Sequence, residues 1–451
     1  MSSDLDYETD SSYDPSAIRL EFLNDSAWPS KTLASLLKDL ENPSQPNTQD
    51  ILKCGNSTIE LLKSFALDPE IVRPKLALGR EWRRLYTDAI LFRCLNLLKE
   101  KSLVNETTNY TAEWELAIRL LDQGIILAGA PGEGRLELVL SCISYIQHWY
   151  LPLGPELVNS DPPRTLSEPP SLSLATGQIP TLSPAPSLAT FPTLAQSPFV
   201  LPGFASSWPA TINWKSRAYL ISCAGRGRII PVERGGDYRT DDWGVELMPW
   251  DEFLDRIGWE GEESDSQRLY LAQHSLFTQF PKLRADIQIP DYVYTEPERH
   301  PCYTGPPGNE EQLVINAWCG GRGANSPAHI DPYYNIYVQI VGHKSVWLAP
   351  PEASQGMYAF NPASEPASQN HNSSEPSRDP KREGMMGNTS SVDVFALSTS
   401  DASSDSFKAS HSLFYEHALP LAQSTVLKPG DALVIPPGWW HAMRGVGGRE
   451  L

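Results

Sequence analysis

Two histidines and an aspartate could do the most chemistry in this chain. They are the triplet His329-Ile330-Asp331 and His441, which ends the run Pro429-Gly430-Asp431-Ala432-Leu433-Val434-Ile435-Pro436-Pro437-Gly438-Trp439-Trp440-His441. Two imidazoles and one carboxylate on one face of a metal, with the other positions open, are the ligand set of non-haem Fe(II) oxygenases. The spacing fits if 325–331 is extended, because positions 329 and 331 then point to one side of a strand and Ile330 to the other. Alone the triplet is a weak signal: with nine histidines in the chain, one such spacing arises by accident at roughly even odds. Its weight comes from the elements around it.

After Asp331 the residues alternate. Asn335, Tyr337 and Gln339 share one face, and Ile336, Val338 and Ile340 the other. The break at Val341-Gly342 predicts a tight hairpin that sets Lys344 opposite Gln339 on the polar face. A lysine there, inside a barrel beside a metal, can receive a carboxylate; a solvated surface lysine is the alternative. The second histidine follows a turn, a short apolar strand over 432–435 and a second turn at Pro436-Pro437-Gly438. Such a run can return a third ligand to a barrel mouth, or it can bury a core histidine between tryptophans.

The stretch from about Trp214 to Arg444 resembles a Jumonji C (JmjC) domain, most closely the branch called lysine demethylase 8 or arginyl hydroxylase. The strings that carry the resemblance are Tyr270-Leu271-Ala272-Gln273-His274, Ile289-Pro290-Asp291-Tyr292, Ile315-Asn316-Ala317-Trp318 and Ser326-Pro327-Ala328-His329-Ile330-Asp331-Pro332. Their order is far more specific than any one of them. The resemblance implies an α+β fold, a double-stranded β-helix (cupin or jelly-roll barrel) preceded by an α-helical domain. It implies Fe(II) on His329, Asp331 and His441, with no catalytic residue beyond the metal centre. It also implies 2-oxoglutarate, its far carboxylate paired with Lys344 and helped by Tyr270, Ser326 and Asn335 as hydrogen-bond donors.

Pro231-Val232-Glu233 followed by Asp241-Asp242-Trp243 resembles the segment with which the arginyl-hydroxylase branch holds its target. A carboxylate and an indole face suit a guanidinium, through forked hydrogen bonds and a cation-π contact. Trp318 adds a wall to that pocket. The function implied is an Fe(II)- and 2-oxoglutarate-dependent protein hydroxylase acting on arginine, with N-methyl-lysine (histone) demethylation as the alternative. The chain departs from the family after His441, where only Ala442 to Leu451 follow. The family's next strand is missing there, which predicts an open sheet edge near His441 and admits a third reading, a non-catalytic JmjC-like binding protein.

Composition narrows the partners. A net charge of -19 repels nucleic-acid phosphates and favours a basic protein or peptide, such as a histone tail or a ribosomal or chromatin-associated protein. The six cysteines lack zinc-like spacing, which predicts reduced thiols and a nuclear or cytoplasmic location. No signal region or bilayer-length apolar run is evident, so no membrane is expected. Residues 1–15 read as a disordered acidic terminus. Residues 16–151 read as a helical domain, with Leu136, Val139, Leu140 and Ile143 on one beat, Leu85, Ala89 and Phe92 on another, and breaks at Pro43-Ser44, Pro74 and 129–132. Residues 152–208 read as a Pro/Ser-rich linker, uncharged from Pro169 onward, and 209–451 as the catalytic domain. A Ser-rich insertion at about 361–412 contains the family-like island Asn388-Thr389-Ser390-Ser391-Val392-Asp393-Val394. His371, His411 and His417, in or beside it, are not assigned to the metal.

Overall fold

The computed structural model describes residues 83–94 except 85 and 92, 111–154, 175–360 except 236, 240–242, 260–267, 299, 304 and 310–311, then 387–395 and 405–446. The expectations for residues 1–15, the breaks before residue 83, Leu85, Phe92, Asp241, Asp242 and His371 lie outside them. The chain divides into two compact units after Pro152.

In the first unit, helix α1 (Thr111–Gln123) buries Trp114, Ala117, Ile118 and Leu121, the i, i+3, i+4, i+7 stripe of an amphipathic helix. It runs into a π-turn over Gly124–Ala128, closed by Gly129 in the left-handed region, as is common after a helix end. Helix α2 (Arg135–Trp149) buries Leu138, Val139, Cys142, Ile143 and Ile146, a stripe rotated from the expected beat so that Leu136 and Leu140 lie at its margin.

Among the described residues the second unit holds three sheets. Five strands lie in the order β1 (Gly177–Gln178), β10 (Gln423–Leu427), β9 (His343–Ala349), β12 (Trp440–Val446) and β7 (Asn325–Ile330). Three more are β2 (Phe199–Leu201), β11 (Ala432–Ile435) and β8 (Asn335–Val338). The last sheet is β4 (Gly244–Pro249), β3 (Ile229–Arg234), β5 (Tyr270–His274) and β6 (Ala317–Gly320). From β7 on, the chain crosses between the first two sheets, as a jelly roll requires. Val346, Leu348, Leu427, Leu433, Ile435 and Met443 meet in one cluster between them. Trp347, Ala349, Trp440 and Ala442, the alternate residues, pack outside against 392–395 and 414–418.

This alternation decides which faces look inward. Asn335 and Tyr337 are paired with Ile435 and Leu433, so the polar face of β8 looks into the barrel. Ile336 and Val338 pack outward against Phe199 and Val434. A polar face turned inward costs desolvation and marks a site.

Three expectations change. There is no hairpin at Val341-Gly342, because β8 pairs with β11 while β9 pairs with β10 and β12. The glycine (φ 78°) turns a corner between sheets, and Lys344 faces Gly445 and Leu427 rather than Gln339. The local alternation is the same for a hairpin and for such a corner.

The linker reading fails for its second half. Residues 177–178 pair with β10 and 199–201 with β11, while Phe191, Phe199, Val200 and Leu201 are buried. Both strands are sheet edges, where proline-rich sequence is tolerated.

The edge expected near His441 takes another form. Among the described residues His441's own strand β12 lies between β9 and β7, and the sheet edge beside the site is β7, the strand of His329, whose outer side residues 388–390 cover.

Candidate metal and co-substrate site

His441 stands directly opposite His329 on the antiparallel pair β12–β7. The two rings are 4.1 Å apart at 53°. Asp331 follows β7, where the N–H of Gly438 donates to its carbonyl at 2.8 Å. The ligand atoms of the three side chains lie within 4.8 Å of one another. Each histidine Nδ1 faces the carbonyl two residues earlier, His329 that of Pro327 at 2.8 Å and His441 that of Trp439 at 3.0 Å. A carbonyl can only accept, so the proton sits on Nδ1 and the Nε2 lone pair is left for a metal. Burial, and then the His329 imidazole, push His441 from its ordinary 6.5 down to about 4. It is therefore neutral at physiological pH, as a ligand must be.

Asn335 Nδ2 donates to Asp331 Oδ2 at 3.0 Å, which leaves the carboxylate one set direction. The site is open on this side, with the Asp331 side chain 37% exposed against 6% for His441. Two imidazole nitrogens and one carboxylate oxygen, each oriented by a neighbour, fit Fe(II).

Lys344 lies on the same inner face. It is 1% exposed, and its ammonium donates to Tyr270 Oη at 3.1 Å. The Nζ is 5.2 Å from the Tyr270 ring centre and 6.0 Å from that of Tyr337. Tyr270 Oη is 3.4 Å from Ser326 Oγ. Tyr270, Ser326 and Lys344 thus come together as expected, while the amide of Asn335 bonds the metal ligand. A buried ammonium walled by aromatic faces and hydroxyls can receive a carboxylate, whose charge would offset the cost of desolvating the lysine. Tyr337 faces the same ammonium. Sequence reasoning put it on the polar face but gave it no role.

The four-stranded sheet brings Glu233 and Trp318 to the same place. Glu233 is the partner of Tyr270, and Tyr270 of Gly320. Trp318 is two residues from Gly320 along β6, so Glu233, Tyr270 and Trp318 share a face. Trp243 Nε1 donates to Glu233 Oε2 at 3.1 Å. Burial raises the Glu233 carboxyl above its ordinary range, against the opposing pull of that indole hydrogen bond.

The island at 387–395 covers the free edge of β7. Thr389 is bridged to His329, Ile330 N donates to Asn388 O at 3.0 Å, and Ser390 N to Ala328 O at 2.8 Å. Its likeness to the family was the signal in the sequence, and it carried no hint of pairing with β7.

The profile of the cupin-like domain family matches residues 188–450, more than half of the chain. Over 366 residues the chain is 31% identical to "Jumonji C domain-containing protein 5" of Drosophila melanogaster, covering 80% of this chain and 77% of that protein. The chain belongs to the cupin-like Jumonji C (JmjC) family. "Lysine-specific demethylase 8" of Danio rerio is 29% identical, over 81% of this chain and 79% of its own. "Lysine-specific demethylase JMJ30" of Arabidopsis thaliana is 33% identical, over 56% of this chain and 48% of its own. JmjC proteins are 2-oxoglutarate oxygenases, and membership implies dependence on Fe(II) and 2-oxoglutarate, for which the His-Asp-His cluster is the candidate centre.

Gly320 joins this JmjC site through the space it leaves. A Cβ there would stand 2.6 Å from Ala324 Cβ and 2.8 Å from Tyr270 Cδ2, so the tyrosine ring must move. Overpacking of this kind costs about 1–3 kcal/mol. Gly320→Ala is expected to raise the 2-oxoglutarate KM about tenfold, read from succinate formation at varied 2-oxoglutarate. An unchanged KM would remove Tyr270 from the co-substrate site.

Proposed function

We propose that this chain is an Fe(II)- and 2-oxoglutarate-dependent hydroxylase of arginine side chains in a basic protein or peptide. The observation that carries the reading is the Glu233–Trp243 pair on the sheet face shared with Tyr270. A carboxylate raised by burial gains most from a guanidinium, which returns it to the charged form and engages both oxygens at once. The indole, held edge-on to Glu233 by its own hydrogen bond, keeps a face for the cation, and Trp318 bounds the same space.

His329, Asp331 and His441 hold the metal, and Lys344, Tyr270 and Ser326 hold the far carboxylate of 2-oxoglutarate. When bound, iron and 2-oxoglutarate supply the oxidation that inserts one atom of O₂ into a substrate C–H bond. The chain's own work is to bind and orient. Burial of Lys344 and the packing of 346, 348, 433 and 435 keep water from the co-substrate.

A second reading, removal of a methyl group from N-methyl-lysine, is supported by the names of two relatives, and an aromatic pocket with a carboxylate accepts that cation too. Mass spectrometry of a basic peptide after turnover separates them. Gain of one oxygen on arginine supports the first reading; loss of a methyl group from lysine with formaldehyde release, and unmodified arginine, sinks it. Histone tails and ribosomal or chromatin-associated proteins are the substrate class that the net charge of -19 favours, and we place the activity in the nucleus or cytoplasm. Among the described residues no helix is long and apolar enough to cross a membrane.

A further inference from the structure

Strand β7 carries His329 but is a sheet edge, so among the described residues no neighbouring strand of the sheet fixes its outer side. That side is fixed by Asn388, Thr389 and Ser390. Their backbone bonds fall on Ala328 and Ile330, the two residues that flank the ligand. Asn388 Nδ2 adds a bond to Ile330 O at 2.9 Å.

The segment is held in turn by the loop after β3. Arg239 Nη1 donates to Ser390 O at 3.0 Å and to Val392 O at 3.1 Å. Its Nε and Nη2 grip Asp237, at 2.9 and 3.0 Å and at 2.6 Å. Tyr238 Oη adds a bond to Thr389 Oγ1 at 3.2 Å. On the other flank Arg444 of β12 meets Asp393 at 3.5 Å and lies over the Phe395 ring at 4.8 Å.

Arg239 is therefore linked to the metal ligand through Ser390 and Ala328, while its own loop lies between Glu233 and Trp243. We infer that Arg239 is a positioning residue that clamps the 388–392 segment onto the outer edge of β7, fixing His329 and tying the substrate-reading loop to the metal centre. A planar guanidinium suits this task, because its fork serves one carboxylate and two carbonyls together. An ammonium cannot hold that geometry. The inference rests on the metal-site and arginine-pocket readings above.

The test uses the full chain and Arg239→Ala, Arg239→Lys and, as a control on the helix after β4, Arg256→Ala, whose Nη1 meets Glu252 at 3.4 Å and the sulfur of Met248 at 3.9 Å. Hydrogen exchange reads the clamp without metal or substrate. Arg239→Ala is expected to speed exchange at the amides of Ile330 and Ser390 at least tenfold, with β9 and β10 unchanged. Co(II) titration by visible absorption reads the ligand. Its affinity is expected to fall about 10- to 100-fold, the usual cost of losing an outer-shell support, with only partial recovery in Arg239→Lys.

Unchanged exchange at Ile330 and Ser390 overturns the clamp. Faster exchange there with wild-type Co(II) affinity overturns its link to His329, as does uniform loss of protection across the barrel. If the wild-type chain itself fails to bind Co(II), the metal-site reading has failed, and the exchange arm still decides the clamp. Binding of a fluorescein-labelled Gly-Gly-Arg-Gly-Gly peptide to the Co(II) form reads the loop. Arg239→Ala is expected to weaken it several-fold, and equal affinity overturns the loop's part in the proposal.

Discussion

Lys344→Met is expected to raise the 2-oxoglutarate KM by two to three powers of ten while leaving the protein at least as stable as wild type. The two effects have opposite signs for one reason. Lys344 is 1% exposed, its ammonium beside the rings of Tyr270 and Tyr337, among residues that build the barrel core. Without an anion it is a desolvated charge, and replacing such a group by an apolar one of similar volume is often neutral or stabilising. On the proposed reading it is the counter-charge of the co-substrate's buried carboxylate, and truncating one partner of such a pair costs about 3–5 kcal/mol. Thermal unfolding together with succinate formation at varied 2-oxoglutarate checks both. A large loss of stability with an unchanged KM would make Lys344 a structural residue and leave the co-substrate pocket without its anchor.

His441→Ala has the second large effect, loss of metal-dependent 2-oxoglutarate turnover beyond detection. Removing an outer support of a metal ligand costs about 10- to 100-fold in affinity, and removing the ligand costs more. The imidazole is buried and bonded to Trp439 O at 3.0 Å, so the alanine variant also leaves a cavity and an unmet carbonyl, at about 1–3 kcal/mol of stability. Asp331→Asn separates the two causes. It keeps the shape, keeps an oxygen for Asn335, sits where the side chain is 37% exposed and removes only the charge. Co(II) affinity is expected to fall in both variants and thermal stability only in the first. Turnover within tenfold of wild type in either variant would refute the assignment of the metal centre.

The chemistry was legible where it depends on residue type and short spacing. His-x-Asp needs only strand alternation, and His329 and Asp331 do converge with His441. The polar face of β8 follows from the same period of two, whereas Lys344 was placed on it through a hairpin that does not form, with a solvated surface lysine as the alternative. Lys344, Tyr270 and Ser326 meet within hydrogen-bonding reach, while Asn335 bonds Asp331. Glu233 and Trp243 were implied by the family resemblance of their segment, and they are joined by a hydrogen bond.

What was missed depends on pairing between distant segments. Alternation over 335–348 cannot say whether β9 folds back on β8 or crosses to another sheet, since each side chain's face is the same either way. Proline and serine over 152–208 describe a flexible chain when it is free. The uncharged, apolar part of that run becomes strand only because β10 and β11 offer it an edge. Counting residues after His441 treated β12 as a boundary, whereas its neighbours β9 and β7 come from earlier in the chain.

By itself, then, the sequence determined the donor atoms and the alternation that aims them, because these are properties of a residue and its near neighbours. The burial of Lys344 came from the fold. Only the tertiary structure decided that Asn335 serves Asp331, that Gly320 makes room for Tyr270, and that Arg239 holds the segment sealing His329. Those are contacts between strands and loops far apart in the chain. Their formation depends on which edges are left open once the barrel has closed, and that is a property of the whole fold.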